Sequence, residues 1–134
     1  MNFDDEPTAD EEPTIDPAFD SVDAFVEGWL SKIINRRIGD KSGLKWDPCW
    51  WRHPEVDARL TALWWAWETA RATVDDGSAM SNWWIHHCDP HMRVLLDAET
   101  GPMSGTREDG TWRGHGPLPC KPRPDSDPDQ LEQP

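Results

Sequence analysis

The sequence predicts a mainly α fold: a small three-helix domain, with a short β-hairpin as an alternative near its C-terminal end, between disordered tails. Three observations predict it. Apolar residues recur at three- and four-residue spacing in three stretches, helix-start residues precede those stretches, and ten Trp supply the bulk of a core. The 134 residues fit one domain, and 13 Pro and 9 Gly are too few for a low-complexity chain.

Most of the formal net charge of −13 lies outside the predicted domain. Residues 1–20 hold eight acids and no base, whereas residues 21–120 hold 11 bases and 14 acids. Acidic, Pro-containing segments bury too little apolar surface to fold. We therefore predict a disordered acidic tail over 1–20, a Trp-rich helical domain over 21–119 and a disordered Pro-rich tail over 120–134. A globally acidic DNA mimic and a strongly basic nucleic-acid binder both lose support.

The first predicted helix starts at Val22, with Asp20 or Ser21 as its cap and Gly39 at its end. Arg37 falls within the apolar stripe, so the last turn frays, or Arg37 pairs with a carboxylate or reaches out to solvent. The stripe has these members: Phe25, Val26, Trp29, Leu30, Ile33, Ile34 and Ile38.

A loop over residues 40–53 precedes the second predicted helix, which enters through Pro54 with Glu55 and Asp57 in its first turn. Residues 75–77 stop it. Trp65 falls on the outward side, where it is either covered by other chain or exposed to a partner. The predicted inward face consists of Val56, Leu60, Leu63, Trp67, Ala70 and Val74, with Trp64 on its shoulder.

The third periodic stretch runs from Met80 to Cys88, and Asp89-Pro90 is predicted to restart the chain because Pro90 has no N–H to donate. Beyond it, residues 92–104 fit a short hairpin, and a brief helix over residues 91–96 fits almost as well. Repeated Pro after Gly114 predicts an extended tail.

Two pairs of Cys and His have the spacing of zinc half-sites. Cys49 and His53 are four residues apart, as are His87 and His91, and Cys88 could replace one His. The competing interpretation is structural, with His53 capping its helix, His87 in the core and His91 facing solvent. The pattern is less specific than paired CxxC motifs, so we expect no cofactor and keep zinc as the alternative.

One basic grouping could contact nucleic acid. It consists of Lys32, Arg36, Arg37, Lys41 and Lys45. Nearby Trp residues could stack on single-stranded bases. A simpler interpretation is that the first three offset the C-terminal dipole of the first helix, and phosphate binding normally needs a broader basic stripe. The sequence therefore argues against nucleic acid as the main partner.

No catalytic motif is present, so we predict a non-enzymatic protein. A thiolate at Cys49 would need an oriented base that the sequence does not indicate. Trp65, Trp50 and Trp51 are the candidate contacts for a partner protein. The identity of that partner and the oligomeric state are not predictable. The chain starts with an acidic stretch and has no basic, apolar leader, and it contains three Cys, an odd count. These observations predict a cytoplasmic protein without a membrane anchor.

Several strings together resemble a family of small actinobacterial proteins, the domain of unknown function 4913 family, over residues 22–119. The strings are Gly28-Trp29-Leu30, residues 46–55, residues 60–68 and residues 80–97. The resemblance implies an accessory protein of plasmids, integrated elements or phages and carries over no catalytic residue. His53, His87 and His91 match the family pattern, whereas Asp47, Cys49, His86 and Cys88 depart from it. We expect a protein–protein interaction module; the alternative is a zinc-stabilised domain that contacts nucleic acid.

Overall fold

The computed structural model describes residues 15–107, 109, 111–112 and 114–125, and it contains three helices. Helix α1 covers residues 22–33, α2 covers Pro54–Ala72 and α3 covers residues 79–96, with a 3₁₀ turn over Trp50–Arg52 ahead of α2. The described ranges contain no β-strand. None of their helices has the length and apolar character that a membrane span requires. Of the predicted tails, residues 1–14 and 126–134 lie outside these ranges, whereas residues 15–20 and 120–125 lie within them, and Phe19 packs against the core.

Helix α1 starts where the sequence predicts, because the Ser21 hydroxyl accepts a hydrogen bond from the Ala24 N–H. It has a regular α turn over Val22–Phe25, a wider π-helical segment over Val26–Leu30 and a last α turn over Ser31–Ile33. The predicted continuation to Gly39 is wrong. The backbone becomes extended at Ile34.

Long-range pairing explains the early end of α1. The chain after α1 folds back so that the Lys45 N–H donates to the Leu96 carbonyl at 2.9 Å, and the Ala98 N–H donates to the Gly43 carbonyl at 3.1 Å. A positive φ at Gly43 allows the intervening turn. Arg37 consequently lies beyond the helix and is exposed.

Helix α2 is the central element and begins at Pro54, as predicted. Its predicted inward residues are buried as far as Trp67, and Ala70 is half-buried. Val74 is a correction, since the helix ends at Ala72 and leaves Val74 93% exposed. The Trp83 indole N–H donates to the Leu63 carbonyl at 3.1 Å, which ties α3 to the middle of α2.

The predicted restart at Asp89-Pro90 is wrong, because α3 runs without a break from Ala79–Trp83 through a π-helical segment at Trp84–Cys88 to Asp89–Leu96. The Asp89 N–H donates to the Trp84 carbonyl five residues earlier, so Pro90 falls at the start of the last α-helical segment, where its missing N–H is tolerated. Of the two alternatives after Pro90, the structure has the helix and not the hairpin. Asp97 forms only an isolated bridge with Leu44.

The core is formed by side chains from all three helices and the loops. Its buried hydrophobic members are Phe25, Val26, Leu30, Trp50, Val56, Leu60, Leu63, Trp64, Trp67, Trp83, Cys88, Met92, Leu95, Leu96 and Met103. Two carboxylates, Asp47 and Glu68, are buried with them. Charged groups are seldom buried unless paired, so these two mark the positions where polar contacts organise the domain.

Candidate functional site

The three Trp residues predicted to contact a partner have different environments. Trp50 is buried in the core, so its assignment to the partner surface is wrong. Trp51 is 56% exposed, and Trp65 is 50% exposed on the outward side of α2, with its ring centroid 4.7 Å from that of Trp64. The stacking on Trp64 covers one side of Trp65. Of the three predicted contacts, Trp51 and Trp65 are therefore the two whose indoles lie at the surface.

The predicted zinc ligands do not come together. Among the described residues, no three His, Cys, Asp or Glu side chains are placed to hold a metal ion. His53 is buried, and its Nε2 lies 2.7 Å from Asp47 Oδ2. His91 Nδ1 lies 3.2 Å from Arg59 Nη1. His87 is exposed and Cys49 is half-buried.

The electrostatics of His91 also disfavour a positive ion at this end of α3. Partial burial lowers the pKa of His91, and electrostatic repulsion from Arg59 and from the neighbouring His87 lowers it further. An Arg that faces the imidazole from α2 would repel a bound cation.

Asp47 is the organising group of the loop before α2. Its Oδ1 accepts the Cys49 N–H at 2.9 Å, and its Oδ2 faces His53 and, at 3.4 Å, Arg52 Nη2. Burial alone would raise the pKa of Asp47, but these hydrogen bonds and the Arg52 charge outweigh it and lower the pKa. The carboxylate is therefore charged near neutral pH and holds the loop in place.

The C-terminal part of the chain covers the Asp47–His53 pair. The Trp112 ring packs against the His53 ring with centroids 5.5 Å apart, and it also contacts His115. The His115 Nε2 lies 2.8 Å from the Ser104 hydroxyl. Trp112 and His115 thus extend the domain past its helices.

The predicted basic grouping lies along the end of α1 and the loop that follows. Lys32, Arg36, Arg37 and Lys41 are exposed, whereas Lys45 is half-buried and paired with Asp40. Arg36 and Lys45 line two different pockets. The grouping is therefore not one continuous phosphate-binding stripe.

Arg36 lines an apolar cleft of about 210 Å³ between the end of α1 and the end of α3. We call it the α1–α3 cleft. Its lining residues are Val26, Leu30, Ser31, Ile34, Arg36, Ile38, Trp46, Met92 and Leu96. Ile38 and Trp46 also line an adjoining, more polar pocket of about 270 Å³, together with Gly39, Lys45, Pro48, Thr106 and Arg107.

Long-range contacts create this cleft, which is why the sequence does not reveal it. The sequence predicts Ile34 and Ile38 as core positions of a longer helix. Both line the cleft beyond the actual helix end, where Ile34 still packs against the core and Ile38 is 45% exposed. Trp46 lines the same cleft and directly precedes Asp47, whose hydrogen bonds hold this loop. An apolar stripe that continues into a basic segment is the one sequence signal that points to this surface.

Residues 19–124 match a family described as a domain of unknown function, DUF4913. The chain belongs to the DUF4913 family. No curated protein and no solved structure matches the chain. The DUF4913 match begins at Phe19, which packs on the core, and it includes all three helices and every residue that lines the α1–α3 cleft. It confirms the resemblance seen in the Trp-rich strings and extends it by a few residues at both ends.

Proposed function

We propose that this DUF4913 protein is a non-enzymatic interaction module that binds a short segment of a partner protein in the α1–α3 cleft. The segment we propose carries one or two large apolar side chains flanked by acidic residues. The observation that carries the proposal is the cleft itself, which has aliphatic walls and basic groups at its edge.

The walls of the cleft favour apolar side chains as its ligands. Pockets for small molecules usually measure about 300–1,000 Å³, and the cleft, at about 210 Å³, reaches this range only together with the adjoining pocket of about 270 Å³. Its walls come from Leu30, Ile34 and Met92, with Trp46 at one side. Such walls suit a buried Phe or Leu of a partner, the usual anchor of a peptide in a groove.

The charges around the cleft favour acidic flanks. Arg36 lines the cleft. Its positive charge also reaches the Cys88 thiol of α3, where it opposes part of the rise in the pKa of that thiol. Lys45 and Arg107 line the adjoining pocket, although Lys45 already faces Asp40. Arg36 is therefore the cation expected to contribute most to an acidic partner, chiefly to its association rate and specificity.

Nucleic acid is the competing partner, and the lining of the cleft argues against it. Single strands bind through exposed aromatic rings on which bases stack, together with a groove of cations. Trp46 is half-buried, and the remaining lining is mainly aliphatic. A protein segment fits these walls better.

The wider biological role forms part of the same proposal. We infer an accessory protein of an actinobacterial mobile element or phage that works in the cytoplasm. Support comes from the Trp-rich strings of the family and from Cys49, Cys88 and Cys120, none of which forms a disulfide.

The test is fluorescence anisotropy with the full chain and a labelled eight-residue peptide that has a central Phe-Leu pair and two acids on each side. We expect saturable binding in the micromolar range, typical of short peptides. Ile38→Ser removes an apolar contact and should weaken binding about fivefold or more. Arg36→Glu should weaken binding by a similar factor, and more so at low salt.

Matched controls distinguish the cleft from the general surface. Ile85→Ser changes an Ile on α3 outside the cleft that is 57% exposed, against 45% for Ile38, and Arg123→Glu reverses an exposed charge elsewhere. Neither should alter binding. Equal effects of Ile38→Ser and Ile85→Ser would overturn the proposal. Binding of a labelled oligothymidylate that is lost in Arg36→Glu, without binding of the peptide, would assign the cleft to nucleic acid instead.

A further inference from the structure

The segment before α1 leaves the domain from a fixed point. The Glu68 carboxylate accepts the backbone N–H groups of Ala18 and Phe19, at 2.9 and 3.1 Å. Two residues before Ala18, the carbonyl of Asp16 accepts a hydrogen bond from Arg71 Nη2. Asp16, Ala18 and Phe19 are thereby attached to the last turns of α2, and this attachment point lies beside the first turn of α1, where Phe19 contacts Phe25.

The composition of residues 1–14 matches the partner segment proposed for the cleft. This segment contains six acids, no base and, at position 3, a Phe between Asn2 and Asp4. The edge of the cleft is basic, since five Lys or Arg lie between residues 32 and 45, with Asp40 as the single acid there. An apolar side chain next to acids therefore exists within the same chain.

The segment is also long enough to reach the cleft. Fourteen extended residues span up to about 46–50 Å. Helix α1 has 12 residues, from 22 to 33, and a helix of that length measures about 18 Å. The attachment point lies at the start of α1 and the cleft at its end, so the segment can cover this distance with many residues to spare.

We propose that residues 1–14 bind the α1–α3 cleft of their own chain, with Phe3 against the apolar walls and the acids toward Arg36 and its basic neighbours. This inference rests on the proposed function, because it makes the segment an internal competitor of the partner. A tethered competitor acts at an effective concentration in the millimolar range. Even weak binding by the segment then lowers the apparent affinity for a partner, and added salt reduces the effect.

Residues 126–134 provide a matched internal control. They also contain acids and a large apolar residue, Leu131, but three acids instead of six and no aromatic ring. We therefore assign the cleft to residues 1–14, and substitutions in residues 126–134 report on the general effect of removing acidic charge.

The experiment uses the full chain with two independent readouts. The first is the affinity for the acidic Phe-Leu peptide in native protein, in Phe3→Ser, and in a variant with Asp4→Asn, Asp5→Asn and Glu6→Gln. The second is the indole ¹H–¹⁵N resonance of Trp46, assigned with Trp46→Phe. We expect both variants to bind the peptide about three- to tenfold more tightly than native protein. We also expect both to shift the Trp46 resonance.

The control variant, with Asp127→Asn, Asp129→Asn and Glu132→Gln, should change neither readout. An unchanged Trp46 resonance in Phe3→Ser would overturn this inference, even if the peptide binds the cleft. A Trp46 shift in Phe3→Ser without any peptide binding would support the internal contact and count against the proposed partner. If the control variant and the variant with Asp4→Asn, Asp5→Asn and Glu6→Gln had equal effects, the change in net charge alone would explain the result, and the inference would be overturned.

Discussion

The Nε2 atom of His53 lies 2.7 Å from Oδ2 of Asp47, and both side chains are buried. This contact joins the loop before α2 to the residue that precedes its first turn. Because Asp47 follows Trp46 directly, the same contact also positions an indole on the wall of the α1–α3 cleft. A carboxylate that looks like a surface residue in the sequence therefore supports both the fold and the candidate site.

The first prediction concerns Asp47 and pH. Its pKa in the folded protein is below the ordinary value of about 4, so its contribution to stability is complete above that value and is lost as the pH falls through the lowered pKa. Asp47→Asn should reduce the free energy of unfolding by about 2–3 kcal/mol at pH 7. The difference from native protein should shrink below about pH 4. Urea denaturation across this pH range measures it.

The control is Asp75→Asn, which changes an exposed acid in the turn after α2. It should leave the free energy of unfolding within about 0.5 kcal/mol of native protein. A pH-independent loss in Asp47→Asn would show that packing, and not the charge of the carboxylate, is responsible.

The second prediction concerns Glu68, which accepts four hydrogen bonds, from the N–H groups of Ala18 and Phe19, the Trp64 indole and Arg71. Burial would raise its pKa, but these donors lower it overall. In Glu68→Gln the amide group would point a donor at other donors, so we expect a loss of about 2–4 kcal/mol. Limited proteolysis should also cut earlier around residues 15–20.

Glu55→Gln is the matched control, because Glu55 forms an exposed i,i+4 pair with Arg59 on the same helix. Such pairs contribute about 0.3–0.5 kcal/mol. If Glu68→Gln were as mild as Glu55→Gln and left the proteolytic pattern unchanged, the Glu68 contacts would not hold the segment before α1.

Local sequence signals predicted the starts of the helices well. Ser21 caps α1 and Pro54 opens α2, because a cap or a helix-opening Pro needs only neighbouring residues. The helix ends were predicted less well. The apolar period continues to Ile38, but α1 stops at Ile33 because hydrogen bonds from Lys45 and Ala98 to distant partners take precedence.

The candidate site depended even more on distant contacts. Asp47 and Glu68 were not predicted to be buried, although Glu68 lies on the inward side of α2, one residue after Trp67. The sequence signal for the burial of Glu68 was its position as a single acid within the apolar stripe of α2. The donors that make its burial tolerable, such as the Phe19 N–H, lie 49 residues away and cannot be recognised from spacing.

The third prediction concerns the contact between Gly105 and Trp112. A Cβ at position 105 would lie 2.3 Å from the Trp112 indole, a distance that no real contact allows. Gly105→Ala should displace the indole from His53 and lower the free energy of unfolding by about 1–3 kcal/mol. In a Trp112→Ala background the same substitution should cost much less. A double-mutant cycle from urea denaturation measures this coupling, and additive effects would contradict it.

The fourth prediction concerns Cys88, whose thiol is buried in the core. Burial and the nearby negative charge of Asp89 raise its pKa to about 12, and Arg36 offsets only part of this increase. At pH 8 about one thiol in ten thousand is then ionised, and the thiolate is the reactive form.

In native protein, a disulfide reagent such as DTNB should label the exposed Cys120 quickly and the half-buried Cys49 more slowly. A variant with Cys49→Ser and Cys120→Ser should react only after urea unfolds it. Rapid labelling of this variant without urea, at its native circular dichroism signal, would mean that the core around α3 opens readily.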